Sequence, residues 1–557
     1  MASVANIDIQ ESAWSSEGLF WAQSPLSFTS GYKYRITTHE HSRGTANYPI
    51  TDWVSMAYIP KPSVLQLTFE VPGLVIVIGT KTSDVNRMSV FGYASVAKST
   101  QVRHFTTDVP AAHSRLFRQA SAEWLRTAFH DAITHDKSTG TGGVDASLRY
   151  ELDRPENAGT IALNSTFSFF SGFQSVRSSM ADLVALGVYT AVRECGGPVV
   201  KFRAGREETT RRFEKAGFSV GDMIAMVACG HTIGGVHGND FPEITGNNSE
   251  ESFPKFDSTN ARFDSQVVTE YLAGNTTNVL VVGPDATNSD RRIFASDNNA
   301  TMNTLADSGT FRATCADILQ RMVDTVPSSV TLTDPIEPID VKPANLKFYM
   351  TSEGNLRFEG QIRIRWTNRS GDPPPVVQIR YEGGIIEAAK ATFQGGIGLG
   401  FDDWFQFYEF QHSLQPNTSL TSFTVEFNDE VHTNGGGGFP IHNELLVQHL
   451  ESCLAQTGAP LSNLTIVAAV QQDRVHLPTY FEVAIKKTQM GIVGAVDIER
   501  QRVDMRSTGR RVGGYEILSG FVGLPTQTAF TTYDVVNGDV RVEFQKTASV
   551  SSSCTGP

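Results

Sequence analysis

Within SAEWLRTAFHDAITHD, Arg126 and His130 stand four residues apart, as do Leu125 and Phe129. On a helix each pair shares one stripe. A guanidinium that can hold negative charge and an imidazole that can take and return a proton would then face the same pocket. Taken alone, such a pair is more often a solvated helix face. Next comes GTGGVDAS, where Gly143, Asp145 and Ser147 alternate. They offer a carbonyl, a carboxylate and a hydroxyl to one hard cation. With Asp131, beside His130, they form an all-oxygen set of the kind calcium takes, although an Asp-Gly turn would read the same way. A second histidine, His231, ends the apolar run of SVGDMIAMVACGHTIGGVHG, which opens on a capping box from Ser219 to Asp222. A histidine there is usually a satisfied core residue. Downstream, FPKFDSTNARFDSQ supplies Asp257, Thr259 and Asp264, which with Thr232 make a second collection of oxygen donors.

Positioning these groups falls to a helical middle. Residues 113–330 read as helices separated by Gly, Pro and Asn loops, and the Pro-rich stretch 325–343 reads as a boundary. Beyond it, residues 331–557 show short β-branched and aromatic runs such as LRFEGQIRIRW, SLTSFTVEF, LTIVAAV and YFEVAIKK. They predict an all-β, sandwich-like region, either one large sandwich or two small ones. Residues 1–112 carry strand-like runs but no chemical motif, and no function is assigned to them. The fold class expected is therefore multidomain, a mainly α-helical unit followed by β-rich sandwich-like domains.

From Arg126 onward the order of motifs resembles the plant and fungal haem peroxidase superfamily, closest to its fungal secreted class. R-x-x-F-H-D followed by G-x-D-x-S is similar to that family's distal helix and distal calcium site, here Arg126, Phe129, His130, Asp131, Gly143, Asp145 and Ser147. H-T followed by F-D-x-T and F-D is similar to its proximal signature. The resemblance implies His231 as axial ligand of haem b, Phe256 as the proximal aromatic, and Asp297 as the carboxylate bonded to His231. It implies a proximal calcium at Thr232, Asp257, Thr259, the Arg262 carbonyl and Asp264, so two calcium ions in all. Arg126 and His130 become the distal catalytic pair, with Asn157 and Glu151 orienting His130. The partners implied are hydrogen peroxide and a small organic reductant.

Some positions depart from that family. Only EETTRR separates Arg206 from Phe213, where the family has a longer loop, and Cys195 has no upstream cysteine to match its usual partner. A rearranged or wrongly predicted gene would account for these departures and for the unfamiliar residues 1–112. Manganese-oxidising relatives use three carboxylates, but the matching positions are Gln119, Glu123 and His237, so manganese oxidation is not expected. Met226 stands where lignin-oxidising relatives have a surface tryptophan. Phe129 replaces the tryptophan of the intracellular class.

A net charge of −13 and a pI near 5.5 argue against nucleic acid and anionic membranes as partners. The apolar run GLVIVIGT is too short to span a bilayer. The first residues do not read as a secretory signal, yet seven sequons, at Asn164, Asn247, Asn275, Asn299, Asn368, Asn417 and Asn463, favour a secreted, extracellular glycoprotein. The competing reading is an inactive peroxidase-like protein whose β-rich region binds carbohydrate or cell wall, with the aromatics of FDDWFQFYEF as a stacking platform. Another is a catalase-like use of peroxide.

Overall fold

The computed structural model describes residues 120–206, 218–249, 251–416, 418–456, 461–489, 491–492, 494–525 and 531–554, with the two-residue pieces 76–77 and 93–94. Apart from those pieces, region 1–112 lies outside the described residues. So do Gln119, Asn417 and the whole of the shortened loop after Arg206.

The helical unit contains α1 (Ala120–Ala132), α2 (Thr160–Ser171), α3 (Met180–Glu194), α4 (Val220–Gly230), α5 (Gln266–Ala273), α6 (Ser289–Phe294) and α7 (Ser308–Val323), linked by shorter turns. Side-chain caps start the longer helices. Ser179 accepts the Asp182 N–H ahead of α3, the Ser219–Asp222 capping box opens α4, and Asp307 accepts the Thr310 N–H ahead of α7. Each cap is worth about 1 kcal/mol. Trp124, Leu125 and Ala128 of α1 share one core with Val184 and Val188 of α3, Ala225 and Ala228 of α4, and Phe311 and Ile318 of α7. The many alanines let the helices approach closely. A disulfide between Cys229 and Cys315 joins α4 to α7 across 86 residues, a closure that constrains the unfolded chain by about 4 kcal/mol in the chain-entropy picture. Cys195, after α3, is buried and free, and burial pushes its thiol up to about 11. No helix among the described residues is long and apolar enough to cross a membrane.

The Pro-rich boundary is docked. The Thr333 N–H donates to the Ala204 carbonyl and the Ile336 N–H to the Phe202 carbonyl, each at 2.8 Å. Regular strand begins at Val341, so the last residues read as linker belong to β1 (Val341–Met350). Beyond it lie three sheets whose long strands pair antiparallel. The first contains β1, β2 (Leu356–Arg365) and β3 (Trp404–Leu414). The middle one is built around β4 (Leu461–Gln471), and the third around β5 (Thr479–Thr488). β6 (Tyr515–Pro525) pairs with β4 along its whole length.

Val467 and Ala469 of β4 pack into the core of the first sheet with Phe358 and Tyr408, while Ile466, Ala468 and Val470 pack toward the third sheet with Phe481 and Tyr533. Residues 466–470 of the middle sheet are thus buried on both faces. This explains why LTIVAAV is an unbroken apolar run and not an alternation. The β-rich, sandwich-like region expected after the helical unit is present, as three stacked layers that share the middle sheet. In β3, Phe405, Phe407, Tyr408 and Phe410 are buried. The aromatic run is core and offers no stacking platform at those residues. Cys453 and Cys554 form the second disulfide.

The β-rich region contacts the helical unit at α2 and α3. Lys486 Nζ donates to the Gly172 carbonyl at the end of α2 at 3.1 Å, Arg177 pairs with Glu543 at 2.9 Å, and Arg193 pairs with Asp402. Gly494 sits so tightly that a Cβ there would meet the Phe167 backbone at 2.5 Å.

Candidate functional site

Most of α1 is buried, yet Arg126, Phe129 and His130 on one stripe are only half-buried. His130 Nδ1 lies 2.9 Å from Asn157 Oδ1, and the Asn157 amide donates from Nδ2 to the Glu151 carbonyl at 2.7 Å. That second bond fixes which way the amide points. Oδ1 must then accept from Nδ1–H, which leaves the His130 Nε2 lone pair available. Glu151 therefore works through its main chain, while its carboxylate pairs with Arg154 at 3.1 Å. Burial, reinforced by the nearby Arg126 charge, lowers the His130 pKa to about 4. Arg126 Nη2 donates to the Ala158 carbonyl at 2.6 Å, and its guanidinium lies 5.9 Å from the Phe241 ring. Gly159 has φ of +74°, and a Cβ there would meet that ring at 2.8 Å. Phe241, from the chain after α4, borders the distal pair although no sequence motif marks it.

On the other side, His231 follows α4 directly and Phe256 stacks on its ring, with centroids 4.1 Å apart and planes 9° from parallel. His231 Nδ1 lies 2.7 Å from Asp290 Oδ2, which also accepts from Asn278 Nδ2 at 2.8 Å. The expectation that Asp297 fills this role is corrected. Asp297 Oδ2 accepts the Thr301 N–H at 2.9 Å and its hydroxyl at 2.5 Å, starting the short helix Ala300–Leu305. Two Ser-Asp pairs follow His231 in the sequence, Ser289-Asp290 and Ser296-Asp297, and only the first turns its carboxylate toward His231. Asp290 is buried, whereas His231 keeps 29% of its side-chain surface exposed. With Nδ1 occupied, Nε2 is the ring atom left to hold a metal.

The oxygen sets assemble near these histidines. Asp131 Oδ2 accepts the Ala146 N–H at 2.8 Å and Oδ1 the Leu148 N–H at 3.1 Å, while Asp145 Oδ1 accepts the Ser147 N–H at 3.0 Å. Asp131, Asp145 and Ser147 are fully buried. Burial, followed by repulsion from Asp145, drives the Asp131 carboxyl well above the ordinary range. The Ser147 hydroxyl has no protein partner. Gly143 has φ of +110°, and a Cβ there would collide with the Thr325 carbonyl at 2.5 Å. Two facing buried carboxylates with an unsatisfied hydroxyl suit a cation.

In the second set, Thr259 Oγ1 donates to Asp264 Oδ1 at 2.9 Å, Thr232 Oγ1 donates to the Asp264 carbonyl at 2.5 Å, and the Arg262 N–H donates to the Thr259 carbonyl. Burial first, then Asp264 and Glu270, raise the Asp257 carboxyl to about 7, and its Oδ2 has no protein partner. Among the described residues no group of three or more His, Cys, Asp and Glu side chains gathers as a metal cluster. Both sets here rely on hydroxyls and carbonyls for the remaining donors.

Arg126 and His130 of α1 thus meet Asn157 from the turn Pro155–Asn157 on one side, and the His231–Asp290 pair follows α4 on the other. Residues 102–212 match the family profile described as Peroxidase, a span that includes Arg126, His130 and Asn157 and ends before His231. The chain is 42% identical over 338 residues to a WSC domain-containing protein of Arthroderma benhamiae, covering 55% of this chain and 47% of that protein. It is 28% identical over 190 residues to L-ascorbate peroxidase 5, peroxisomal, of Arabidopsis thaliana, covering 30% of this chain and 63% of that one. With mitochondrial cytochrome c peroxidase of Aspergillus fumigatus it shares 38% identity over 88 residues, 15% of this chain and 24% of the relative. The chain thus spans less than two-thirds of each of these relatives. The helical unit is thus similar to haem peroxidases over the matched residues, and the chain carries a β-rich region in addition.

Proposed function

We propose that this protein is a secreted peroxidase whose helical unit holds haem b through His231 and uses hydrogen peroxide to oxidise small organic donors one electron at a time. The observation that carries the reading is the pair of oriented histidines. His231 is anchored by Asp290 at Nδ1, and His130 is anchored by Asn157 at Nδ1, so each presents Nε2. Haem, when bound, would supply the redox centre that takes up the oxidising equivalents of peroxide. Phe129 and Phe256 would flank it. His130 Nε2 would take a proton from hydrogen peroxide and return it to the departing oxygen. Arg126 would hold the negative charge that develops there. Asp290 would strengthen the electron donation of His231.

The two oxygen sets support calcium at Asp131, Gly143, Asp145 and Ser147 and at Thr232, Asp257, Thr259, Arg262 and Asp264. Two disulfides and the sequons support an oxidising, extracellular setting. Carbohydrate contact through the β-rich region would have to use residues other than the buried aromatics of β3.

The test is an absorption spectrum of the full chain loaded with haem, beside His231→Ala. A Soret band that shifts with one equivalent of peroxide, and is weakened or displaced in the variant, is expected. Loading that proceeds identically in the variant would overturn the axial assignment. Calcium makes a separate prediction. Exhaustive chelation should lower the melting temperature of the haem-loaded protein by several degrees, reversed by calcium and not by magnesium. An unchanged melting curve would show that the carboxylates hold protons instead.

A further inference from the structure

We infer that Asn463 is an N-glycosylation site whose first sugar lies over the exposed ring of Phe521. The inference rests on the secreted reading above, since only a chain that enters the secretory pathway meets the oligosaccharide transferase. Phe521 is 74% exposed, more than any other large apolar side chain among the described residues. It lies in the middle of β6, where its neighbours Val522 and Leu524 point into the core between the middle and third sheets. An exposed aromatic there costs hydration with no protein cover.

The sequence gives a reason for that exposure on the facing strand. Asn463-Leu464-Thr465 is a sequon. In the β4–β6 register Asn463 opposes Gly523 and Thr465 opposes Phe521. Directly opposed residues share a face, as do residues two apart on one strand. Asn463, Thr465, Phe521 and Gly523 therefore stand together on one side of the sheet, with Asn463 diagonal to Phe521. Leu464, between the two sequon residues, is buried on the other side. Asn463 is exposed. The residues opposite it are Gly523 on β6 and Ala455 on the strand Cys453–Gln456, both small enough to leave room for a bulky substituent, and the aromatic lies one diagonal step away. The apolar face of a pyranose ring packs well on an aromatic ring, because its C–H bonds meet the negative π face.

Two other described sequons are engaged elsewhere. Asn164 lies within α2 with a buried side-chain oxygen, and Asn299 accepts the Tyr271 hydroxyl at 2.8 Å. Asn247, Asn275 and Asn368 are exposed, so they serve as internal controls.

The experiment uses the full chain secreted from a yeast host behind the host's own leader, so that it meets the transferase whatever its natural compartment. Failure of the site and failure of the secretion reading are then separate results, the latter read from where the native protein accumulates. Glycopeptide mass spectrometry should find Asn463 occupied. Hydroxyl-radical footprinting should find Phe521 oxidised several-fold more slowly than in Asn463→Gln and Thr465→Ala, with Thr465→Ser retaining the protection. Trimming the glycan to its first sugar should preserve it as well. An unoccupied Asn463 on a chain that carries sugar at Asn247, Asn275 or Asn368 overturns the proposal. So does an occupied Asn463 with Phe521 oxidised at the rate of the variants.

Discussion

With His130 replaced by leucine, the haem-loaded protein is expected to consume hydrogen peroxide about 10²–10⁴-fold more slowly, the range for loss of a positioned acid-base group. Haem uptake should be unchanged, because His231 and Asp290 lie on other elements. The effect is large because the pocket supplies no second base in the same position. Arg126 stays charged, and Asn157 is committed to the ring and to the Glu151 carbonyl. Asn157→Val should lose less than His130→Leu, since it frees the tautomer without removing the imidazole. The pH profile follows from the same geometry. His130 titrates at about 4 in the folded protein against 6.5 ordinarily. Being a depressed base, it stays neutral as pH falls from 7 toward about 5, and the rate should hold until pH nears 4. Over the window from about 6.5 down to about 4 the unfolded chain binds a proton that the folded one does not, so this group lowers stability as pH falls. A stopped-flow profile whose acid limb instead fell near pH 6.5 would show that His130 is not in its recess.

The second large effect is expected at Asp290. Asp290→Asn should weaken haem retention or peroxide turnover by about 10–100-fold, the usual cost of removing the partner that orients a metal-binding histidine. It should also raise the iron reduction potential, because an amide pulls the Nδ1 proton less strongly than a carboxylate and leaves the imidazole a weaker electron donor. Spectroelectrochemistry reads this directly. Asp297→Asn is the matched control: its carboxylate caps a short helix, so it should leave the potential where it was and cost at most about 1 kcal/mol of stability. Equal shifts in both variants would reject the assignment of Asp290.

The contrast between these two aspartates shows what the sequence could convey. The Arg126–His130 stripe, the Ser219–Asp222 box and the His231 helix end were legible because each is a local rule of spacing and capping. Asp290 and Asp297 each follow a serine, and local pattern does not separate them. Only the path of the chain through α5 and α6 decides which one reaches His231. Phe241 and Asn278 were invisible for the same reason. In the β-rich region the strands were legible from their turns and branched residues. The sharing of the middle sheet was not, since an apolar run such as LTIVAAV shows that both faces are covered but not by what.

The segment that lays Thr333 and Ile336 along Ala204 and Phe202 bears on how the chain can be divided. A fragment ended at residue 330 would leave two backbone acceptors beside the core without their donors, and the same stretch would dangle from the other piece. Ending the fragment just before Val341 keeps that extended seam with the helices it covers, and begins the remainder at the first residue of β1.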